Sequence, residues 1–147
     1  MNIRLAVLLV TLFTGVGNAY SATAQEVDRR LDFLFGSHQK YHDFLSDLQQ
    51  AVAAKDQAKV ATMIAYPLKV GLKGKVTTWR TPAMLQKNYN SVFTPDLVHV
   101  ISAQKYEELF ARDQGVMIGD SGQLWFGEVC QDKACHKTRV LITRINR

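Results

Sequence analysis

The chain has 147 residues, of which 47% are hydrophobic and 21% are charged, and it contains 9 Gly and 3 Pro. This composition is typical of a globular protein and excludes a disordered chain, a collagen-like fibre and a low-complexity linker. The formal charge of +5 is a mild excess spread along the chain, which weakly favours an anionic neighbour. Since the sequence has neither a dense basic stripe nor a nucleic-acid-binding module, we do not expect a nucleic acid as a partner.

The first 24 residues have the pattern of a secretory signal peptide. A basic start precedes an almost wholly apolar stretch, residues 5–16, and the small-x-small motif that signal peptidases cleave follows at residues 22–24. The apolar stretch is shorter than the ~20 residues needed to cross a bilayer, so we do not expect stable membrane insertion. We predict cleavage after Ala24, with Ala19 and Ala22 as alternatives, and a periplasmic or secreted product.

Helical periodicity dominates the next part of the chain. We predict a short helix over residues 27–35, ended by Gly36, and then a longer amphipathic helix with Ser37 as its cap. Asp56 is expected to cap a third helix. The Tyr66-Pro67 step should stop that helix, because the residue before a proline avoids helical angles.

The hydrophobic period then changes to alternation. Residues 68–72 and 76–79 predict a hairpin that turns at Gly74. Two Thr-Pro steps follow, and each places a hydroxyl cap before a proline, which predicts helices over residues 83–93 and 96–102. Residues 106–110 are expected to form a further turn or a short extended segment.

The last third of the chain predicts a sheet. Strands are expected over residues 115–119, 123–129 and 138–146, and short loops between them make neighbouring strands antiparallel. We therefore predict one domain over residues 25–147. Its class is α+β, with N-terminal helices packed on a strongly curved, mainly antiparallel sheet.

The two cysteines, Cys130 and Cys135, are separated by four residues. In an exported protein such a pair predicts one disulfide that closes a short loop and stabilises the fold by roughly 2 kcal/mol. A redox pair is the alternative, although thioredoxin-type sites place two residues between their cysteines at the start of a helix.

Metal-ligand spacing is not found in the sequence. His136 beside the cysteines does not complete a zinc site. His38 and His42 share a helix face, but the glutamate of an HExxH motif is missing. We predict neither a metal nor a cofactor.

Three features of the chain resemble exported bacterial proteins of the nuclear-transport-factor-2-like superfamily. They are the leading pair of helices, the Ala-Tyr-Pro-Leu-Lys-Val stretch at residues 65–70, and the Gly-Val-Met-Ile-Gly-Asp-Ser-Gly-Gln-Leu-Trp-Phe block at residues 115–126 with its following strand. The resemblance implies a cone, in which a bent sheet wraps around helices and leaves a pocket at its open end. This fold is shared with steroid isomerases and polyketide cyclases but also serves catalytically silent domains, so it implies no activity. No Tyr/Asp pair here aligns with the isomerase dyad.

Two carboxylates are weak candidates for acid–base chemistry. Glu128 alternates with Leu124 and Phe126, so we expect it to face inward, where burial would raise its pKa. The alternative is that the apolar face of the strand simply ends at Glu128, which then has no chemical role. Asp43 follows a tyrosine and a histidine, but adjacent residues of a helix point in different directions.

Aromatic residues are the better candidates for binding, since pockets for small ligands are mostly apolar. Packing between sheet and helices is the alternative for these side chains. The five candidates are Tyr66, Trp79, Tyr89, Tyr106 and Trp125. A basic cluster on the first hairpin is expected to keep a sheet edge soluble, and it comprises Lys69, Lys73, Lys75 and Arg80.

Three functions fit these observations. The first is an exported, non-enzymatic domain that binds a small apolar ligand or a protein partner. The second is a small isomerase-like or lyase-like enzyme with Glu128 or Asp43 as its base. The third is an exported inhibitor or immunity protein that blocks a secreted effector enzyme. An apolar patch on the outer face of the sheet would also allow a homodimer.

Overall fold

The computed structural model describes residues 22–72 and 74–146. The predicted signal peptide falls almost entirely on residues 1–21, which lie outside the described residues. The helices are α1 (Ala24–Phe35), α2 (Gln39–Ala53), α3 (Gln57–Thr62), α4 (Pro82–Lys87), α5 (Tyr89–Val92) and α6 (Pro95–Ala103), with a 3-10 turn at Tyr106–Glu108. The strands are β1 (Ile64–Leu72), β2 (Lys75–Trp79), β3 (Phe110–Arg112), β4 (Gly115–Ile118), β5 (Leu124–Cys130) and β6 (Thr138–Asn146). None of the helices in the described ranges is long and apolar enough to span a membrane.

A capping box fixes the start of α1. The Thr23 hydroxyl accepts the Glu26 N–H at 3.3 Å, and the Glu26 carboxylate accepts the Thr23 N–H at 2.7 Å. The helix ends at Gly36 as expected, where a φ of 77° suits a residue without a Cβ. Cleavage at the predicted position after Ala24 would remove Thr23 and both of these bonds.

The start of α2 differs from the expectation that Ser37 caps it. The N-cap is His38, whose N–H donates to the Asp32 carboxylate of α1 at 2.7 Å. The His38 ring Nδ1 lies 2.9 Å from the same carboxylate. This hydrogen bond raises the pKa of His38 and lowers that of Asp32. The Ser37 expectation is wrong because a side chain of the preceding helix supplies the acceptor at this turn.

The shorter helices start after their predicted caps, but the expected hydroxyl cap at Thr94 is wrong, because its side chain makes no capping hydrogen bond at the start of α6. The Asp56 carboxylate accepts the Lys59 N–H at 2.9 Å, and the Thr81 hydroxyl accepts the Met84 N–H at 3.2 Å. The single helix expected over residues 83–93 is two helices, α4 and α5. They separate at Asn88, which has a φ of −122° and whose side-chain amide donates to the Met84 carbonyl.

The six strands form one open sheet in the order β2-β1-β6-β5-β4-β3. β4, β5 and β6 lie side by side and antiparallel, as expected. β1 and β6 are parallel, a pairing between distant segments for which the sequence has no local signal. The short edge strand β3 was also not predicted as a strand.

β1 starts earlier than expected, at Ile64 instead of residue 68. Ile64 pairs with Ile142 of β6, and the Ile142 N–H donates to the Met63 carbonyl at 2.8 Å. The register then shifts before Lys69, so Pro67, which has no N–H, lies outside the paired positions. The expectation that the Tyr66-Pro67 step stops α3 is wrong. α3 ends at Thr62, and pairing with the parallel neighbour extends β1 back through Pro67 to Ile64.

The core lies between the inner face of the sheet and the helices. Phe44 of α2 stacks on Phe126 of β5 with ring centroids 4.9 Å apart, and Tyr41 lies 6.0 Å from the same ring. A register shift in the β5–β6 pair at Trp125/Phe126 adds local twist and bending. The α+β class and the helix-packed curved sheet are thus confirmed.

The predicted disulfide is present, with the Cα atoms of Cys130 and Cys135 4.7 Å apart. We expect the double change of Cys130→Ser and Cys135→Ser to lower the free energy of unfolding by about 2 kcal/mol, because the unfolded chain regains the entropy of the open loop. Urea denaturation followed by circular dichroism measures this difference. Reduction of the unaltered protein should produce the same loss, and an unchanged midpoint in both experiments would contradict the expectation.

Candidate functional site

The two candidate carboxylates line the same groove. It has a volume of about 480 Å³ and opens between α2, α3 and the adjoining ends of β5 and β6. We name it the inner groove. Its charged lining residues are Lys40, Asp43, Asp47, Lys59, Glu128 and Arg139.

Glu128 faces the helices, as its alternation with Leu124 and Phe126 indicated, but it is fully engaged there. The Lys40 ammonium donates to its Oε1 at 2.6 Å, and the Thr138 hydroxyl donates to the same oxygen at 2.7 Å. Burial raises the pKa of Glu128, but the hydrogen bonds from Lys40 and Thr138 and the charge of Lys40 outweigh burial and hold it below the ordinary value. The expected raised pKa is therefore wrong, and Glu128 is an ionised partner in an ion pair.

Lys40 also connects three elements. Besides Glu128 on β5, its ammonium donates to the Phe35 carbonyl at the end of α1 at 3.1 Å. It lies 5.8 Å from the centroid of the Tyr41 ring. These contacts give the Lys40–Glu128 pair a structural role at the junction of α1, α2 and the sheet.

Asp43 is exposed and does not form a dyad with Glu128. Its carboxylate accepts a hydrogen bond from the Gln39 side-chain amide at 2.7 Å and lies 3.8 Å from the His42 ring Nδ1. Asp47 and Lys59 form a loose pair at 3.9 Å in the same groove. Proton abstraction beside a carbonyl requires a base in a water-excluding pocket, whereas this groove is open and carries charges of both signs.

The five aromatic candidates do not share one pocket. Trp79 and Tyr89 are buried in the core at 8% and 7% exposure, and Tyr89 stacks on Phe93. Tyr66 is half-buried, and its hydroxyl donates to the Ala61 carbonyl at 3.1 Å. These three side chains therefore pack between the sheet and the helices, which is the alternative to a binding pocket.

Tyr106 lies at the other side of the helical layer. Its hydroxyl donates to the Asp28 carboxylate at 2.7 Å, and the His42 ring meets its ring edge-on with centroids 4.8 Å apart. Burial and this hydrogen bond raise the pKa of Tyr106. Tyr106 thereby links α1 to the 3-10 turn, and it borders a small groove that also contains His38.

The described residues contain no group of three or more His, Cys, Asp or Glu side chains placed to hold a metal ion.

Trp125 is the one aromatic candidate on the outer face of the sheet. Its neighbours Leu124 and Phe126 are fully buried on the inner face, so alternation turns Trp125 outward, where it is half-buried. It pairs with Arg144 of β6 and with Met117 of β4 across the sheet. A groove of about 540 Å³ opens there, which we name the Trp125 groove, lined by Gln114, Met117, Ser121, Gly122, Trp125, Thr143, Arg144 and Asn146.

A turn that is hydrogen-bonded to Asn146 forms one wall of the Trp125 groove. The Asn146 side-chain amide donates to the Gly122 carbonyl at 2.8 Å, and the Asn146 N–H donates to the Gln123 carbonyl at 2.9 Å. Gly122 has a φ of 69°, and a Cβ there would lie 3.0 Å from the Trp125 indole nitrogen. The glycine therefore provides both the turn and the room for the indole.

Arg144 is the charged member of the Trp125 groove. It is exposed, and none of the acidic side chains in the described ranges pairs with it. Sequence analysis identified Trp125 but missed Arg144 and Met117, because both depend on strand register. The irregular β5–β6 pairing places Arg144 opposite Trp125 although Ile142, two residues earlier, faces Phe126.

Comparisons with known proteins found no match to this chain among family models, curated proteins or solved structures.

Loss of the Lys40 ammonium tests the ion pair in the inner groove. In Lys40→Met we expect the pKa of Glu128 to rise and the free energy of unfolding at pH 7 to fall by roughly 0.5–1 kcal/mol. Because folding lowers the pKa of Glu128, the stabilisation is complete above the ordinary value of 4.5 and is lost as the pH falls through the folded-state pKa. NMR titration of the Glu128 side-chain carbons measures the pKa, and urea denaturation measures stability.

Lys59→Met is the matched control, since it removes an ammonium from the same groove that contacts Asp47 and not Glu128. An unaltered Glu128 titration in Lys40→Met, or an equal shift in the control, would contradict the role given to Lys40.

Proposed function

We propose that this chain is an exported, non-catalytic binding domain of the nuclear-transport-factor-2-like superfamily that engages a protein partner through the Trp125 groove. The observation that carries the proposal is the half-buried Trp125 indole beside the exposed Arg144 guanidinium on the outer face of the sheet. The superfamily assignment in this proposal comes from the sequence resemblance, and the α+β architecture, with leading helices packed on a curved sheet, is compatible with it.

The composition of the Trp125 groove favours a protein over a small apolar ligand. Tryptophan, arginine and methionine are enriched at protein interfaces, and tryptophan and arginine dominate their binding energy. Small-molecule sites are enclosed and predominantly apolar, whereas this groove is open and more than half of its lining residues are polar. The turn held by Asn146 keeps the surface preformed, which lowers the entropy cost of binding.

The inner side of the sheet supports a non-catalytic function. Tyr41, Phe44 and Phe126 pack against one another between α2 and the sheet, and all three are buried. Glu128, the candidate base, is held as a carboxylate by Lys40 and Thr138. An enzyme of the isomerase type would need a base free to take a proton from its substrate.

Export is supported by two independent features. The N-terminal sequence pattern predicts secretion, and the Cys130–Cys135 disulfide is the kind of cross-link that persists in an oxidising compartment. If that partner is a secreted effector enzyme, the chain is an inhibitor.

Site-specific photocrosslinking tests the proposal in the native envelope. A benzoylphenylalanine in place of Thr143, which lines the groove, should form an adduct with a protein, and a second benzoylphenylalanine in place of the exposed Gln86 on α4 should not. With the captured partner purified, Trp125→Ala should weaken binding about thirtyfold or more, since an interface tryptophan contributes at least about 2 kcal/mol.

Phe33→Ala is the matched control, because it removes an aromatic ring that is 89% exposed but lies on α1, outside the groove. Equal affinity of Trp125→Ala and the unaltered protein, or an adduct formed only from position 86, would overturn the proposal. An adduct between two copies of the chain would identify the partner as a second subunit.

A further inference from the structure

β2 (Lys75–Trp79) is an open edge of the sheet. It stands at the end of the strand order and pairs with β1 alone among the described strands. Four of its five residues are exposed, and only Trp79 is buried. Alternate residues of an edge strand turn their N–H and C=O groups away from the sheet, where they are free to pair with another strand.

The side chains of β2 leave one apolar residue uncovered. Trp79 points into the core, so the alternation along the strand places Val76 and Thr78 on the opposite face. Val76 is 71% exposed and lies directly across from Gly71 of β1, which has no side chain to cover it. A strand added beside β2 would give Val76 the neighbour that β1 does not.

This edge is also uniformly basic. Residues 68–80 contain three lysines and one arginine but no acidic residue. Lys69, Lys75 and Arg80 are exposed, and no carboxylate in the described part of the chain pairs with them. Other exposed lysines, such as Lys105 with Glu108, do have an acidic partner in the fold.

The charge of the β2 edge distinguishes between the strands that could pair with it. A second copy of β2 would bring its own Lys75 and the adjoining Arg80 beside these side chains, and like charges on adjacent strands repel. Basic residues on an edge are a known protection against such self-pairing. An acidic strand meets no repulsion, and its carboxylates would neutralise Lys75 and Arg80.

We propose that the β2 edge binds an extended, acidic segment of a partner protein, which adds a strand to the sheet and places an apolar side chain against Val76. This surface is separate from the Trp125 groove, because β1 and β6 lie between β2 and β5 in the sheet. This proposal therefore goes beyond the proposed function. The two are independent, so the failure of one leaves the other standing.

The probe is a heptapeptide, blocked at both ends, in which Glu alternates with Val. Titration into the isotope-labelled protein should shift the backbone amide resonances of residues 75–79. The same peptide with Lys in place of Glu should cause no shift. A version N-methylated at alternate residues should also fail, since it cannot complete the ladder of hydrogen bonds.

Two charge-reversed variants separate a specific site from general attraction. Lys75→Glu with Arg80→Glu should weaken peptide binding about tenfold or more, because it places like charges opposite each other. Lys133→Glu with Lys137→Glu changes the net charge by the same amount on the exposed loop between β5 and β6 and should leave the affinity within about twofold. All four side chains are exposed, and amide dispersion confirms that each variant is folded.

Three results would overturn the inference. The first is the absence of shifts at residues 75–79 at millimolar peptide, and the second is an equal loss of affinity in both variants. The third is a concentration-dependent shift of these amides without peptide, which would identify a second copy as the occupant.

Discussion

The packing of α2 onto β5 is the interaction on which the other features of this domain depend. Phe44 stacks on Phe126, and aromatic pairs of this kind add about 0.5–1.5 kcal/mol beyond the burial of their surface. Lys40 lies one helical turn before Phe44 on the same face of α2, and Glu128 lies two residues after Phe126 on the same face of β5. The aromatic contact therefore brings Lys40 to Glu128, and the ion pair closes the end of the interface.

This arrangement leaves the outer face of the sheet for the binding that we propose. Aromatic rings of α2 and β5 pack on the inner face of the sheet. The carboxylate of Glu128 on β5 also points inward, but it is already bound by hydrogen bonds within the protein. Because side chains alternate along a strand, the burial of Leu124 and Phe126 forces Trp125 outward. One strand thus supplies the core on one face and the Trp125 groove on the other. At the far end of the sheet, the exposed β2 edge offers backbone groups and positive charge in place of an aromatic anchor.

Features encoded within a few residues were predictable from the sequence, including the caps at Asp56 and Thr81, the last three strands and the disulfide. Features that depend on distant contacts were not. The acceptor at the start of α2 comes from Asp32 of another helix, and β1 is extended by its parallel neighbour. The same limit holds for the site: residue type identified Trp125, but the register that sets Arg144 beside it and the lysine that lowers the pKa of Glu128 come from tertiary structure.

Titration of the isotope-labelled protein with indole, a small apolar probe, tests the filled inner face most directly. We expect the side-chain resonances of Tyr41 and Phe126 to stay unchanged at millimolar indole, because both side chains are fully buried and the rings of Tyr41 and Phe44 pack against Phe126. Phe44→Ala should open an apolar cavity there and shift the Phe126 resonances on addition of indole. Saturable shifts of both Tyr41 and Phe126 in the unaltered protein would contradict the filled inner face and would indicate an internal ligand pocket.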